Sequence, residues 1–212
     1  NSAVSFSARA VIVDPNCQEV VYLTSDTAGG KLSATNRFVT ITSSAEALDL
    51  FTAGSPIIAD CKTYFANAGL GLRRILNIVW VDPTHPLVDE LDKVIACNNC
   101  WLSFAADKTV IDYTDVAAAV AKYAQASSWA FEHEKMFFAL SIDPLDLDGE
   151  NGGSTKAVLN GIGAHYTTLA WTKGQCEYQL DAIGNPIPDP ANVGQYLTET
   201  VYKARHLILA GF

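Results

Sequence analysis

Short runs of apolar residues alternate with helical patterns over residues 72–171. Two runs, 74–81 and 135–142, are apolar on both faces, which is typical of strands in the centre of a sheet. Two further runs, 100–105 and 166–171, also favour strands, and helical patterns lie between successive runs. This alternation predicts an α/β fold with a mixed, largely parallel sheet, flanked by helices and joined by right-handed connections.

The chain before this stretch is rich in strand patterns. Residues 3–13 alternate apolar and polar positions through Val4 and Phe6, which has the period of a half-buried strand. Residues 19–24 and 37–42 predict two more strands. A strand near a chain end can pair within its own sheet or add to a neighbouring chain. The pattern alone favours its own sheet and leaves the second arrangement open.

Capping signals mark where helices begin. Ser43 and Glu46 fit a capping box, in which each side chain satisfies a backbone N–H at the start of a short helix. Pro56 suits the first turn of a second helix, since its missing N–H would be unpaired there. Three later helices are predicted over about residues 87–96, from Asp112 or Thr114 onward, and over 154–162.

The pattern changes after Trp171. Three prolines between residues 185 and 190 predict an extended excursion over residues 173–194, and residues 195–209 predict a closing helix. We therefore divide the chain into an N-terminal arm or strand over residues 1–18, an α/β core over 19–172, and the excursion with its helix over 173–212.

Composition narrows the classes of partner. The 212 residues are 49% hydrophobic, enough to bury a sizeable core. The formal net charge of −9 repels phosphate backbones and anionic membrane surfaces, so we expect no nucleic-acid partner. Because no apolar run approaches the roughly 20 residues of a membrane-spanning helix, and no signal-peptide pattern opens the chain, we expect a soluble protein without membrane insertion.

A C-x-x-C formed by Cys97 and Cys100 is the most conspicuous candidate for chemistry. Thioredoxin-like exchange needs the first thiolate at a helix N-terminus, where the helix dipole lowers its pKa. Here Cys97 closes a predicted helix and Cys100 opens a strand, so we predict no disulfide exchange. A zinc site needs two more ligands, and Cys17, Cys61 and Cys176 are isolated. An intermolecular disulfide stays open, because five cysteines cannot all pair within one chain.

Two acidic clusters are interpreted as solvated surface. Residues 143–153 include Asp143, Asp146, Asp148 and Glu150, but aligning Gly149 with the invariant glycine of an EF-hand puts Pro144 first and Thr155 last. The calcium pattern therefore fails. Consecutive residues at a helix end point in different directions, so Glu132, His133 and Glu134 need not share a site.

Nucleophile elbows, P-loops and dinucleotide-binding glycine motifs are absent from the sequence. Enzymes can still assemble a site from scattered residues. In an α/β fold such a site would lie at the carboxyl ends of the strands, near Asp82, Asp107 and Asp143. We expect no catalytic residue, cofactor or metal, and we keep a small α/β enzyme as an alternative.

A family resemblance is carried by the order of short segments. The run RFVTITSSAEALDLF over residues 37–51, followed by Ser55 and Pro56 and closed by Tyr64 and Phe65, resembles a segment of the contractile tail sheath proteins of phages. The second half is also similar to this family, through CWLSFAAD at residues 100–107, the helix from Asp115, residues 135–142 and residues 163–171. The resemblance covers about two-thirds of the chain.

The resemblance implies a structural virion protein and not an enzyme. Sheath subunits self-assemble into a helical tube around a tail tube and contract together during genome delivery. The implied partners are further copies, the tail tube protein, and baseplate and terminator proteins, in a phage tail assembled in the host cytoplasm. Sheath proteins are usually considerably longer, with a further domain that faces the tube. Another tail, collar or baseplate component is the second alternative.

The family also changes the interpretation of residues 3–13. Strand addition between subunits keeps a lattice connected while the subunit bodies move. The resemblance therefore makes this segment a candidate arm that contacts a neighbouring subunit, anchored by Val4, Phe6 and Ile12.

Overall fold

The computed structural model describes residues 19–52, 54–66, 75–147, 154–172, 175–179, 185–192 and 195–201. A six-stranded sheet has the order β2-β3-β1-β4-β5-β6. Its strands are β1 (Glu19–Thr24), β2 (Phe38–Ile41), β3 (Leu76–Trp80), β4 (Trp101–Ala106), β5 (Met136–Ser141) and β6 (Thr167–Trp171). The helices are α1 (Ser44–Leu50), α2 (Pro56–Ala66), α3 (Leu87–Cys97), α4 (Val116–Glu132) and α5 (Thr155–Gly161), with 3-10 turns at Ala28–Gly30 and Pro144–Leu147.

The sheet is mostly parallel, which confirms the predicted fold class. Only β2 runs antiparallel to its neighbour, β3, while the other neighbouring pairs are parallel. The strand β1 lies between β3 and β4, and five of its six residues are buried. The chain therefore places its first described strand in the middle of the sheet and builds outward on both sides.

Apolar side chains form one core on each face of the sheet. On one face, β-strand residues such as Val21 and Phe104 pack with the inner sides of α3 and α4. On the other face, Tyr22 and Ile78 pack with the inner sides of α1 and α2, including Ile57. Because both faces are covered by helices, the strands read as nearly continuous apolar runs.

An irregularity in β4 concentrates aromatic rings in one core. The register between β1 and β4 shifts by one residue, since Glu19 pairs with Trp101 and Val20 pairs with Ser103. The extra residue at this bulge is Leu102, which is exposed. Trp101 and Phe104 consequently belong to the same core, where their ring centroids are 5.8 Å apart.

Helix starts follow the predicted caps with one difference in detail. The hydroxyl of Ser43 accepts a hydrogen bond from the Glu46 N–H, as a capping box requires, at 3.4 Å. The Glu46 carboxylate instead accepts from the N–H of Thr42, one residue before the cap, at 2.9 Å. Asp115 caps α4 by accepting from the N–H of Ala118, so this helix begins just after the predicted starts.

A small antiparallel sheet lies where the sequence predicted an extended excursion and the start of a closing helix. It pairs β7 (Gln175–Tyr178) with β8 (Thr198–Val201). The predicted helix over residues 195–209 is wrong for 195–201, where β-branched threonine and valine suit a strand that finds a partner. Residues 202–209 lie outside the described residues, as do residues 1–18 with Val4, Phe6 and Ile12. The domain boundaries stay predictions.

No helix in the described part of the chain has the length and apolar character that crossing a membrane requires.

Candidate functional site

The carboxyl end of the parallel strands carries a fully buried carboxylate, Asp107. It accepts hydrogen bonds from the hydroxyls of Thr24 and Thr109, both at 2.6 Å, and from the N–H groups of Thr109 and Val110. Burial raises the pKa of Asp107, while these hydrogen bonds oppose the shift. With so many partners, this carboxylate joins the ends of β1 and β4 and organises the turn after β4.

The carboxylate of Asp143, after β5, also has its hydrogen-bond partner within a local turn. It is buried, and its Oδ1 accepts from the N–H of Leu145 at 2.9 Å. The neighbouring Asp146 accepts from the hydroxyl of Ser141 and from the N–H of Lys156. These contacts tie the loop after β5 to the start of α5. Over the described ranges, no hydrogen bond or ion pair joins Asp143 to Asp107 or Asp82.

Asp82, after β3, belongs to a network of charges at the edge of the fold. The hydroxyl and N–H of Thr84 donate to Asp82 and hold its pKa below the usual value. The N–H of Asp82 in turn donates to the carboxylate of Glu90 at 3.0 Å. His85 lies with its Nδ1 3.1 Å from the Asp82 carboxylate and 3.8 Å from that of Glu90.

The centre of this network is a buried ion pair between Arg37 and Glu90. The guanidinium Nη1 lies 2.6 Å from Glu90 Oε2 and also donates to the carbonyl of Trp80 at 3.2 Å. Lys93 reaches the other oxygen of Glu90 at 2.5 Å. Burial alone would raise the pKa of Glu90, but the Asp82 N–H, Lys93 and Arg37 outweigh it and lower that pKa. The pair fastens α3 to the residue that precedes β2.

The sequence interpretation also missed a half-buried carboxyl group, Asp60 on α2. The hydroxyl of Tyr22, in the central strand β1, donates to Asp60 Oδ2 at 2.6 Å. Burial raises the pKa of Asp60 to about 7, the Tyr22 hydrogen bond opposes this, and the charge of Asp107 adds to it. A signal was present, because Asp60 has helical spacing with the buried Ile57 and Tyr64.

We expect Asp60→Asn to change how stability depends on pH. The raised pKa means that the folded state favours the protonated acid, so the stability of the parent protein falls as the pH rises from about 4 to about 7. Asparagine carries no charge at any of these pH values. The difference in unfolding free energy should therefore shift towards the variant by about 2–4 kcal/mol between pH 4 and pH 8.

Urea unfolding of both proteins at pH 4, 6 and 8 measures this shift. Asp49→Asn on the exposed side of α1 is the matched control, and its difference from the parent should stay nearly constant. A pH-independent difference for Asp60→Asn would contradict the assignment.

The C-x-x-C lies where the sequence predicted, with α3 ending at Cys97 and β4 beginning at Trp101. Both thiols, at Cys97 and Cys100, are free and exposed. The loop between them is fixed, since the carbonyl of Asn98 accepts from the Trp101 indole at 2.6 Å and that of Asn99 accepts from Lys135 at 3.2 Å. The absence of disulfide exchange stays a prediction.

The remaining cysteines and acidic clusters do not assemble a site in the described part of the chain. Cys61 is buried, and desolvation raises its pKa, while Cys17 lies outside the described residues. Glu132 ends α4, His133 packs on the Trp129 ring at 4.3 Å, and Glu134 has a left-handed backbone. No group of three or more histidine, cysteine, aspartate or glutamate residues that could hold a metal ion occurs among the described residues.

The amino ends of β4, β5 and β6 carry an unusual share of exposed apolar surface. Eight large hydrophobic side chains are exposed among the described residues, and five of them lie at this edge of the sheet. We call these five the amino-edge surface: Leu102, Phe131, Met136, Ile162 and Tyr166. Such a concentration of apolar side chains is typical of a surface that contacts another protein.

No family model matches the chain, and no curated protein matches it. A solved structure to which the chain is similar is the helical sheath of the anti-feeding prophage in its contracted state, determined by cryo-EM. The sequence identity is 13% and the TM-score is 0.49. The match covers 92% of this chain and 44% of the other, so the present chain spans less than half the length of that sheath protein.

Each of the residues that the sequence grouped as a possible enzyme site has its own local hydrogen-bond partners. Asp82, Asp107 and Asp143 each serve a different turn at the carboxyl edge of the sheet. The features that sequence reasoning missed are the half-buried Asp60, the buried Glu90 and the amino-edge surface. The anchors proposed for the arm, Val4, Phe6 and Ile12, lie outside the described residues.

Proposed function

We propose that this protein is a structural subunit of a phage contractile tail sheath. It assembles with further copies into a helical tube around a tail tube and changes its packing when the tail contracts. Its partners are the tail tube protein and baseplate and terminator proteins, and its place is the virion. No bond is made or broken, because the free energy of contraction comes from interfaces that pack better in the contracted state.

The observation that carries the proposal is the order of elements in the first half of the chain. The strand β2 leads into the capped helix α1, and α2 then ends beside the aromatic pair of Tyr64 and Phe65, whose ring centroids are 5.1 Å apart. The buried strand β3 follows. This is the order on which the resemblance to sheath proteins rests, and all four elements are present.

The amino-edge surface supports the same proposal independently. A subunit of a polymer needs apolar surface that the isolated chain leaves exposed, and five large side chains at one edge of the sheet supply it. Electron microscopy of the purified full-length protein at increasing concentration tests the proposal. We expect rings or helical tubes, and a protein that stays monomeric at all concentrations would overturn it.

Deleting residues 3–13 should abolish these polymers and leave the subunit folded. If the segment adds to a neighbouring subunit, the core strands do not need it to bury their faces. The unfolding free energy of the monomer should therefore change by no more than about 1–2 kcal/mol. Circular dichroism melts and electron micrographs of the deletion variant measure the two effects side by side. A collapsed melting transition would show that the segment is an ordinary strand of its own sheet.

Point variants give the same test without shortening the chain. Phe6→Asp puts a charge on the apolar side of the predicted strand and should prevent polymerisation, because an unpaired charge is costly in an apolar interface. Ser5→Asp adds the same charge on the other side of the strand and should still polymerise. Equal behaviour of the two variants would contradict the predicted register of the arm.

A further inference from the structure

Two adjoining grooves lie beside the amino-edge surface, between α3, α4 and the loop before β6. One has a volume of about 510 Å³ and the other about 370 Å³. They share Ser128, Glu132 and Ile162, so they form one continuous depression. Phe131 is 54% exposed beside it, and its ring lies 5.9 Å from that of Tyr166. Phe131 and Ile162 therefore belong both to the lining of the depression and to the amino-edge surface.

The permanently charged groups of this depression are acidic. Carboxylates of Asp92 and Glu132 line it together with the imidazoles of His133 and His165, and no lysine or arginine of the described residues does. Asp92 accepts from the Trp129 indole at 2.8 Å and lies 3.7 Å from His133 Nε2, and its side chain stays 62% exposed. An occupant with apolar side chains flanked by positive charges would complement both properties.

Residues 202–212 of this chain, which lie outside the described residues, have that composition. Their sequence, YKARHLILAGF, contains Lys203, Arg205 and His206 and no acidic residue, although the chain as a whole has 23 acidic and 14 basic residues. In the helix that the sequence predicts up to residue 209, Ala204, Leu207 and Ile208 fall on one face. Basic side chains then flank an apolar stripe.

We propose that residues 202–212 of one copy dock in the acidic groove of a second copy. The docked segment packs its apolar stripe against Ile162 and Phe131 and places Lys203 and Arg205 near Glu132 and Asp92. The proposal requires association between copies but no sheath lattice. It therefore stands or falls separately from the proposed function.

The segment is long enough to enter the groove of another copy, because eleven extended residues span up to about 36 Å. Mixing two isotopic forms of the protein distinguishes docking in a second copy from docking within one chain.

Cross-linking of the full-length protein tests the docking directly. A photoreactive benzoylphenylalanine is placed at Phe131, and unlabelled protein is mixed with ¹⁵N-labelled protein before irradiation. Mass spectrometry should then find links between position 131 of one isotope and residues 202–212 of the other. Links found only within a single isotope, or only to other segments, would overturn the proposal.

A charge exchange adds a second, independent readout. Glu132→Lys and Arg205→Glu should each lower the yield of mixed-isotope links about fivefold, and the double variant should recover most of it, because complementary charge is restored. Asp49→Lys on the exposed side of α1 is the control for added charge and should keep the parental yield. Circular dichroism establishes that each variant is folded. Folded single variants that link as well as the parent would overturn the proposed contact.

Discussion

Phe104→Ala should lower the unfolding free energy by about 3–5 kcal/mol, among the largest effects of any single substitution in this protein. Phe104 is completely buried, and its ring centroid lies 4.9 Å from that of Phe137 and 5.8 Å from those of Trp101 and Trp129. Alanine would leave a cavity lined by aromatic rings of β4, β5 and α4, so the surroundings can relax only partly.

Phe131→Ala is the matched control, since it removes the same atoms from a side chain that is 54% exposed. It should cost no more than about 1 kcal/mol in the monomer. Urea unfolding followed by tryptophan fluorescence measures both variants, because Trp101 and Trp129 are buried in the core and report on its unfolding. Equal costs for the two substitutions would contradict the described core. The control also removes part of the amino-edge surface, so a loss of association without a loss of stability is expected for it.

Glu90→Ala should destabilise the monomer by about 3–5 kcal/mol for a different reason. It leaves the guanidinium of Arg37 buried without its carboxylate, and an uncompensated buried charge is far more costly than a missing surface ion pair. It also removes the acceptor of the Asp82 N–H. The turn between β3 and α3 should loosen together with the position of β2.

Lys93→Ala is the control that distinguishes the cost of an unpaired buried charge from the cost of losing a surface ion pair. Lys93 contacts the same carboxylate, but its side chain is 46% exposed, so its removal should cost no more than about 1 kcal/mol. A double variant, Arg37→Met with Glu90→Leu, should recover much of the stability that Glu90→Ala loses, because no charge is left buried. Chemical denaturation of the three variants decides the matter. A Glu90→Ala protein as stable as Lys93→Ala would show that the pair contributes little.

Local sequence patterns predicted the helices and strands of the core well, because the formation of each element depends mainly on residues close to one another in the chain. Ser43 with Glu46, the proline at position 56 and the apolar run before Trp80 each act within a few positions. The order of strands could not be predicted in this way. That β1 lies between β3 and β4 depends on pairings between residues 56 to 83 positions apart.

The polar interior was hidden from sequence reasoning for the same reason. Arg37 and Glu90 are 53 residues apart, and no spacing rule connects them. Asp60 could have been noticed through its helical phase, but its partner Tyr22 could not. Near the end of the chain, a local pattern predicted an element that the structure does not form. Leu197 and Val201 gave residues 195–201 a helical pattern, and pairing of β8 with β7 overrode it.

The central position of β1 determines how a pulling force on the chain would be carried. Force applied through the residue before Glu19 acts along a strand that is bonded to parallel neighbours on both sides. The hydrogen bonds to β3 and β4 lie across the direction of pull and are loaded together in shear, whereas an edge strand peeled from one end loses its bonds one after another. A covalent or non-covalent link through the residues before Glu19 would therefore transmit tension into a strand that is hydrogen-bonded to a parallel neighbour on each side.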